Sequence, residues 1–308
     1  DGLNCFYRHF VANPSMGDNG DHVGGIVGFL KNVQLLTERY SPKSIVVIWE
    51  GGGSPRRRSI DPSYKGGRRP EKLNRFYSDD LPDTVSNRNQ QIAYLTKLLR
   101  KCGIPQIYMS DCEADDVIAR LVNVTFQEEG NCIIVSTDKD FYQLINGRIN
   151  VWSPGSKKLW DTDRVIEQFG IHPVNFCLAR CFVGDGSDGL KGVPGAGFKS
   201  LSKRFPRFIS GESLNVSDIL TECEDLRKQK KLKLYDSIIA NEATLNRNWK
   251  LMYLGQGNVS GGQAKKIDDS LEIFELKRDK LSFIRSLRGL GIKNFDYDKL
   301  FMSLRTLG

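Results

Sequence analysis

Apolar positions along the chain follow two rhythms. Ile45–Trp49 (IVVIW) and Cys132–Ser136 (CIIVS) are short, unbroken runs rich in β-branched residues, the pattern of strands buried on both faces of a parallel sheet. Ile104–Met109 and Ile149–Trp152 repeat it more weakly. Between them, Val23–Tyr40 and Gln90–Cys102 carry apolar residues near 3.6 spacing, and Asp115–Phe126 reads as an amphipathic helix entered through acids. Strands alternating with helices predict an α/β fold with a mainly parallel central sheet flanked by helices. Asp1-Gly2-Leu3-Asn4 reads as the turn at the carboxyl end of a first strand, which would lie upstream of Asp1. After about Leu159 the strand-like runs fade into helix, Gly-rich turn, helix. The expected division is therefore a core over 1–160 and a mostly helical region over 161–308. The stretch from about 51 to 89 is polar, rich in Gly, Pro and Arg, and too long for a routine connection, so it is expected to be a functional loop or helical arch.

Composition narrows the classes. Hydrophobic residues make up 39% of the 308, enough to exclude disorder of the whole chain. No apolar run approaches the ~18 residues of a membrane span, so no membrane partner is expected. The excess of 45 Lys and Arg over 37 Asp and Glu, a net +8, points weakly to an anionic partner, with nucleic acid first. Seven scattered cysteines with no C-x-x-C fit reduced thiols in a cytoplasmic protein. Cys177 and Cys181, one helical turn apart, lack the second Cys/His pair of a zinc site, and three histidines are too few for a histidine-rich one.

The acids are clustered. Asp111, Glu113, Asp115 and Asp116 fall within six residues, Asp138 and Asp140 follow the CIIVS run, and Asp185 and Asp188 sit in V-G-D-G-S-D-G-L. From 111 to 140 there are eight acids and two bases. Any one cluster alone suits a helix start or a turn. Together, Asp1, Glu50, Asp111 to Asp116, and Asp138 with Asp140 all follow strand-like runs, and sites in parallel sheets form outside the carboxyl ends of strands. So many carboxylates repel one another unless cations neutralise them. Oxygen donors with few His or Cys select Mg²⁺ or Mn²⁺. Two such ions ~3.5–4 Å apart support in-line phosphoryl displacement.

The bases are clustered too. Arg56, Arg57 and Arg58, then Lys65, Arg68 and Arg69, lie in the presumed arch, and from 56 to 69 the only acid is Asp61. Solvated charge is the usual meaning of such a run. Following Glu50 directly, it is instead expected to hold phosphates over the site. Tyr64 either stacks on a base or packs in the core, and the sequence leaves both open. Gly192–Lys199 (GVPGAGFK) opens a basic helix carrying Lys199 and Lys203. Such a Gly-rich turn offers backbone N–H groups to a DNA phosphate. The Arg227–Lys233 run is taken as a solvated helix face.

These motifs resemble the structure-specific 5′ nucleases: flap endonucleases, the 5′ nuclease domain of bacterial DNA polymerase I, and the bacteriophage 5′–3′ exonucleases, which size and arch match best. The carriers are D-G-L-N at 1–4, P-S-Y-K-G-G-R at 62–68, E-A-D-D at 113–116, S-T-D-K-D at 136–140 and G-D-G-S-D-G-L-K-G-V-P-G-A-G at 184–197. The resemblance implies a PIN-like core, an arch, and a helix–hairpin–helix over about 184–207. It implies that Asp1, Glu113, Asp115 and Asp138 hold a first metal. Asp116, Asp140, Asp185 and Asp188, with Glu50, complete the acidic set. It implies Lys65 at the scissile phosphate with Arg68 and Arg8 nearby, and Gly192, Val193, Gly195 and Gly197 on the uncleaved duplex, where K⁺ can bind. The implied activity is Mg²⁺- or Mn²⁺-dependent cleavage of 5′ flaps, nicks, ends and RNA–DNA hybrids during primer removal. The enzyme would act as a monomer, alongside replication proteins such as single-strand binding protein, in the host cytoplasm if phage-encoded. The chain departs from the family at Glu50 (usually Asp) and Gly189 (commonly Asn), and 255–308 carries no assignable motif. Two other classes share part of the pattern. A non-catalytic branched-DNA binder needs no intact acidic set, and a PIN-like ribonuclease needs no hairpin.

Overall fold

The computed structural model describes residues 1–67 and 85–307, and Arg68 lies outside them. The chain forms two compact units interleaved in sequence. One takes Asp1–Gly51, Pro70–Ser110 and Ser260–Gly308, and the other takes Gly52–Arg69 and Asp111–Val259.

In the first unit, strand Val47–Glu50 runs parallel to Gln106–Met109, with Val47 opposite Gln106 and Glu50 opposite Met109. The second lies within its predicted run, and the first overlaps its run and extends one residue past it to Glu50. Asp1 to Asn4, expected as a turn, instead open a helix, Gly2–Ala12. Asp1 is its N-cap, with Oδ1 accepting the Asn4 N–H at 3.1 Å. An Asp before a small residue serves both structures, and what decides here is the apolar face that follows: Cys5, Phe6 and Phe10 are buried. This helix packs on Gly24–Tyr40 through glycines. A Cβ at Gly24 would lie 1.9 Å from the Asn13 carbonyl oxygen, and one at Gly28 would lie 2.6 Å from the His9 ring. The segment without a motif returns to this unit. Helices Gly261–Glu272, Lys280–Gly289 and Tyr297–Ser303 pack on strand Gln106–Met109, helix Val85–Lys101 and helix Gly24–Tyr40 respectively, and bury Ile267, Phe283, Leu287 and Leu300.

In the second unit, Cys132–Val135 runs parallel to Ile149–Ser153, which pairs antiparallel with Lys158–Trp160. The expected Asp115–Phe126 helix is regular only over Ala114–Arg120, and Leu121–Thr125 closes it as a π-turn. Its L-V-N-V-T sequence is poor in helix formers, so the wider turn costs little. Tyr142, Trp160, Phe169, Phe176 and Phe198 form one aromatic cluster, with ring centroids 4.9–6.0 Å apart. It joins the sheet to the helices Thr162–Phe169, Phe176–Val183 and Phe198–Arg204. Helices Val216–Gln229, Lys233–Ala240 and Glu242–Met252 complete the unit. Among the described residues, no helix is long and apolar enough to cross a membrane.

Two predictions follow from the glycine interface. Gly28→Val drives a branched side chain into the His9 ring and is expected to destabilise the protein by roughly 1–3 kcal/mol, read from the denaturant midpoint. His9 itself is held down to a pKa of about 4 by burial and by Arg8, and its Nε2 has no partner among the described residues. The unfolded chain takes up this proton below about pH 6.5, so folding should weaken as pH falls from there to about 4. His9→Gln is expected to flatten that part of the stability profile relative to wild type. An unchanged slope would show that His9 does not contribute to it.

Candidate functional site

In the second unit, three segments meet at one guanidinium. Ser54 caps the short helix Pro55–Ile60, its hydroxyl accepting the Arg57 N–H at 3.2 Å. Arg57 is 1% exposed. Its Nη1 and Nη2 donate to the two oxygens of Asp116 at 2.6 and 2.9 Å, and Nη1 also lies 3.1 Å from Glu113. Its Nε donates to the Leu251 carbonyl at 2.7 Å. Burial by itself lowers its pKa, but Asp116 and Glu113 outweigh it and leave the group more firmly protonated than a free arginine. Asn258 adds a 2.8 Å hydrogen bond to Asp116 Oδ1. Burial pulls Asp116 above the ordinary carboxylate range, and Arg57 and Asn258 pull it back.

Glu113, 1% exposed, stands just before helix Ala114–Arg120. Its Oε2 also accepts from Lys65 Nζ at 2.7 Å and from the Tyr64 hydroxyl at 3.3 Å. Lys65 is a non-glycine residue with φ +58, held there by its backbone N–H on the Asp188 carbonyl at 3.2 Å. A left-handed backbone at such a residue stores strain that neighbouring contacts must support. Here they tie Lys65 to the turn of the Gly184–Lys191 hairpin.

A second guanidinium repeats the pattern. Arg180 Nε donates to Asp140 Oδ1 at 3.0 Å, and its Nη2 donates to Asp185 Oδ2. Ser187 donates to Asp185 Oδ1 through its backbone at 2.9 Å and its hydroxyl at 2.6 Å. Burial raises Asp185, but Ser187 and Arg180 more than offset it and leave the carboxyl below its usual range. Asp140 is pushed up to about 7, first by burial and then by Asp138, against the pull of Arg180.

Asp115 and Asp138 remain. Asp138 caps the turn Lys139–Leu144, accepting the Asp140 N–H at 2.8 Å. Asp115, on the first turn of its helix, has a carboxyl raised well above the ordinary range, first by burial and then by the charge of Asp138, with Lys65 opposing. A buried carboxyl under the charge of a second favours a nearby cation. As hard oxygen donors, the two fit a divalent ion of the Mg²⁺ class. Among the described residues, no three His, Cys, Asp or Glu side chains already converge as a metal cage. Glu113, Asp116, Asp140 and Asp185 are instead drawn onto Arg57, Lys65 and Arg180.

The hairpin lies in the same unit. Strands Gly184–Asp185 and Leu190–Lys191 pair antiparallel, and the Val193 N–H donates to the Phe182 carbonyl at 2.7 Å. Gly192 has no room for a side chain, since a Cβ there would lie 2.2 Å from the Val183 carbonyl oxygen. Gly195 has φ +84, and Gly189, where the family commonly has Asn, has φ +76, a conformation both residues tolerate. Val193 is buried, and Gly197 donates its N–H to the Ser200 hydroxyl at 2.8 Å. Lys199 and Lys203, on helix Phe198–Arg204, are exposed.

Several expectations change on these positions. Arg57, grouped with the surface bases, is enclosed and its donors are spent on carboxylates and a carbonyl. Tyr64 packs rather than projects, being 9% exposed. Asp116, expected among the metal ligands, has both oxygens on Arg57. Arg56 is partly exposed and Arg58 exposed. Asp1, Arg8 and Glu50 belong to the first unit, with Glu50 ending its strand. Arg180 and Asn258 went unnoticed in the sequence. Arg180 stands five residues before Asp185, a spacing that signals nothing by itself, and Asn258 lies in the stretch without a motif.

The 5′–3′ exonuclease N-terminal resolvase-like domain family matches residues 1–170. A 5′–3′ exonuclease of Buchnera aphidicola subsp. Schizaphis graminum is 31% identical over 229 residues, 74% of each chain. Flap endonuclease Xni of Shewanella oneidensis is 29% identical over 219 residues, 68% of this chain and 73% of that one. A flap endonuclease of bacteriophage T5, solved with DNA and metal ions, superposes with a TM-score of 0.68 at 23% identity, over 89% of this chain and 97% of that one. The fold is thus the α/β, PIN-like core of 5′ nucleases, and the chain belongs to the 5′–3′ exonuclease family of flap-cleaving nucleases.

Proposed function

We propose that the chain is a divalent-cation-dependent 5′ nuclease. It hydrolyses DNA, and the RNA strand of RNA–DNA hybrids, near the junction of single strand and duplex, leaving a 5′-phosphate and a 3′-hydroxyl. The observation that carries this reading is the Asp115–Asp138 pair beside Lys65, two like charges that burial makes costly and a cation relieves. Asp115 and Asp138, with Asp140 two residues beyond Asp138 and Asp188, whose carbonyl accepts the Lys65 N–H, are the residues we assign to Mg²⁺ or Mn²⁺. The bound ions would supply Lewis-acid charge to the reacting phosphate.

The chain's own residues do the rest. Among the described residues of this segment, Lys65, its side chain 20% exposed, is the cation that contacts the acidic cluster and still reaches solvent. In this reading it exchanges Glu113 for a phosphate oxygen when substrate arrives, binding the scissile group and offsetting its growing charge. Arg57 does not meet substrate. It fixes Glu113 and Asp116, so that the first turn of helix Ala114–Arg120 presents Asp115 in one place. Lys199 and Lys203, after the Gly192–Gly197 turn, grip the backbone of the uncleaved duplex without reading its sequence, with K⁺ on the turn's carbonyls. Arg8 and Arg68 are assigned to phosphate binding from their motifs alone. The biological setting we infer is primer removal in replication, where displaced 5′ ends arise and single-strand binding protein is at hand.

The test is cleavage of a 5′-flapped duplex with Mg²⁺. Asp138→Asn should abolish hydrolysis while flap binding falls less than about tenfold. Lys65→Ala should lower kcat by about 10²-fold or more. Full cleavage in excess EDTA would refute the cation requirement, and binding without cleavage by the wild type would make the chain a branched-DNA binder.

Arg57 yields a stability prediction. Arg57→Met strands two buried carboxylates and should cost roughly 3–5 kcal/mol, the range for breaking one side of a buried pair. Arg57→Met with Asp116→Leu should recover a substantial part of that loss. Simple additivity of the two losses in urea melts would mean that the pair is not coupled as described.

A further inference from the structure

At the end of helix Glu242–Met252, Trp249 and Tyr253 stack face to face, with centroids 4.6 Å apart and planes 14° from parallel. Tyr253 is 45% exposed. Gly255 lets its ring lie down, since a Cβ there would come within 2.7 Å of the Tyr253 ring. A stacked aromatic pair held partly in water adds little to the core. Cations flank it. Lys250 is exposed, and Arg56 places both Nη atoms 3.3 Å from the Lys250 carbonyl. Arg58 lies two residues further along the same short helix. The nearby Asp61 carboxylate is taken up by Arg247 at 3.6 Å.

The pair also stands next to the acidic cluster. Asn258 Nδ2 donates to the Tyr253 carbonyl at 2.6 Å and to Asp116 Oδ1 at 2.8 Å, so one side chain links the platform to the cluster. The Leu251 carbonyl, on the same helix end, receives Arg57 Nε. Aromatic faces beside backbone-reaching cations are the chemistry that holds single-stranded nucleic acid.

We propose that Trp249 and Tyr253 form a stacking platform for an unpaired base of the strand whose phosphate enters the acidic site, with Arg56 and Lys250 along that strand's backbone. This rests on the nuclease reading above. It adds a second contact, specific for unpaired nucleotides, to the sequence-independent grip on the duplex.

The test compares binding of a 5′-flapped duplex with that of a blunt duplex, measured by anisotropy in EDTA with the full chain. Tyr253→Leu and Trp249→Leu should each weaken flap binding roughly tenfold, the loss of about one stacked base, and leave blunt-duplex binding within about twofold. Trp249→Phe should restore most of the flap affinity. The wild type should lose tryptophan fluorescence on adding the flap, and Trp249→Phe should not show that loss, a readout that survives if a leucine variant fails to fold. Equal weakening for both DNAs, no weakening, or identical quenching in wild type and Trp249→Phe would each overturn the platform. A wild type that binds neither DNA would overturn the nuclease reading itself, a distinguishable result.

Discussion

An arginine that almost never meets solvent imposes the main constraint on the second unit. Removing a guanidinium from water costs several kcal/mol unless its donors are matched by anions and carbonyls in good geometry. Arg57 is matched by Asp116 through a two-pronged contact, by Glu113 and by the Leu251 carbonyl. These partners come from two segments other than its own. The start of the arch, the acidic turn before helix Ala114–Arg120 and the end of helix Glu242–Met252 are thus fixed to one another by one charge. Tyr64 and Lys65, a turn further on, are drawn to the same Glu113 oxygen.

This arrangement sorts the acids. Asp116 and Glu113 neutralise Arg57 and Lys65, while Asp140 and Asp185 share Arg180. Asp115 is left in the field of Asp138, and burial and that charge raise its carboxyl. A cluster that looks uniformly acidic therefore contains an internally compensated frame and one strained pair. The net charge of +8 conceals this division. The frame gives the pair a fixed position, which phosphoryl chemistry requires of its metal-holding groups.

Much of this was legible in the sequence, and the parts that were not have physical reasons. The strands at 47–50, 106–109, 132–135 and 149–153 were visible because continuous β-branched runs have little alternative to a buried sheet. Lys158–Trp160 is too short to show a period. Asp1 to Asn4 were misjudged because an N-cap and a loop turn use the same residues. The acidic motifs marked out the candidate site, but identity alone could not distinguish a carboxylate held by an arginine from one left near its own kind. Arg57 was hidden within a run of three arginines, where burial depends on which side of a six-residue helix faces the protein. Arg180, Asn258 and the return of 260–308 to the first unit depend on contacts far apart in sequence, which no local pattern carries.

The central claim is that Asp115 and Asp138 hold the divalent ion while Arg57 retains Asp116. A crystal of the full chain soaked in Mn²⁺, with the anomalous signal recorded at the manganese edge, tests it most directly. The account predicts a peak beside the Asp115 and Asp138 carboxylates, with both Asp116 oxygens still on the Arg57 guanidinium. A peak on Asp116 with Arg57 displaced, or no peak beside Asp115 and Asp138, would contradict it.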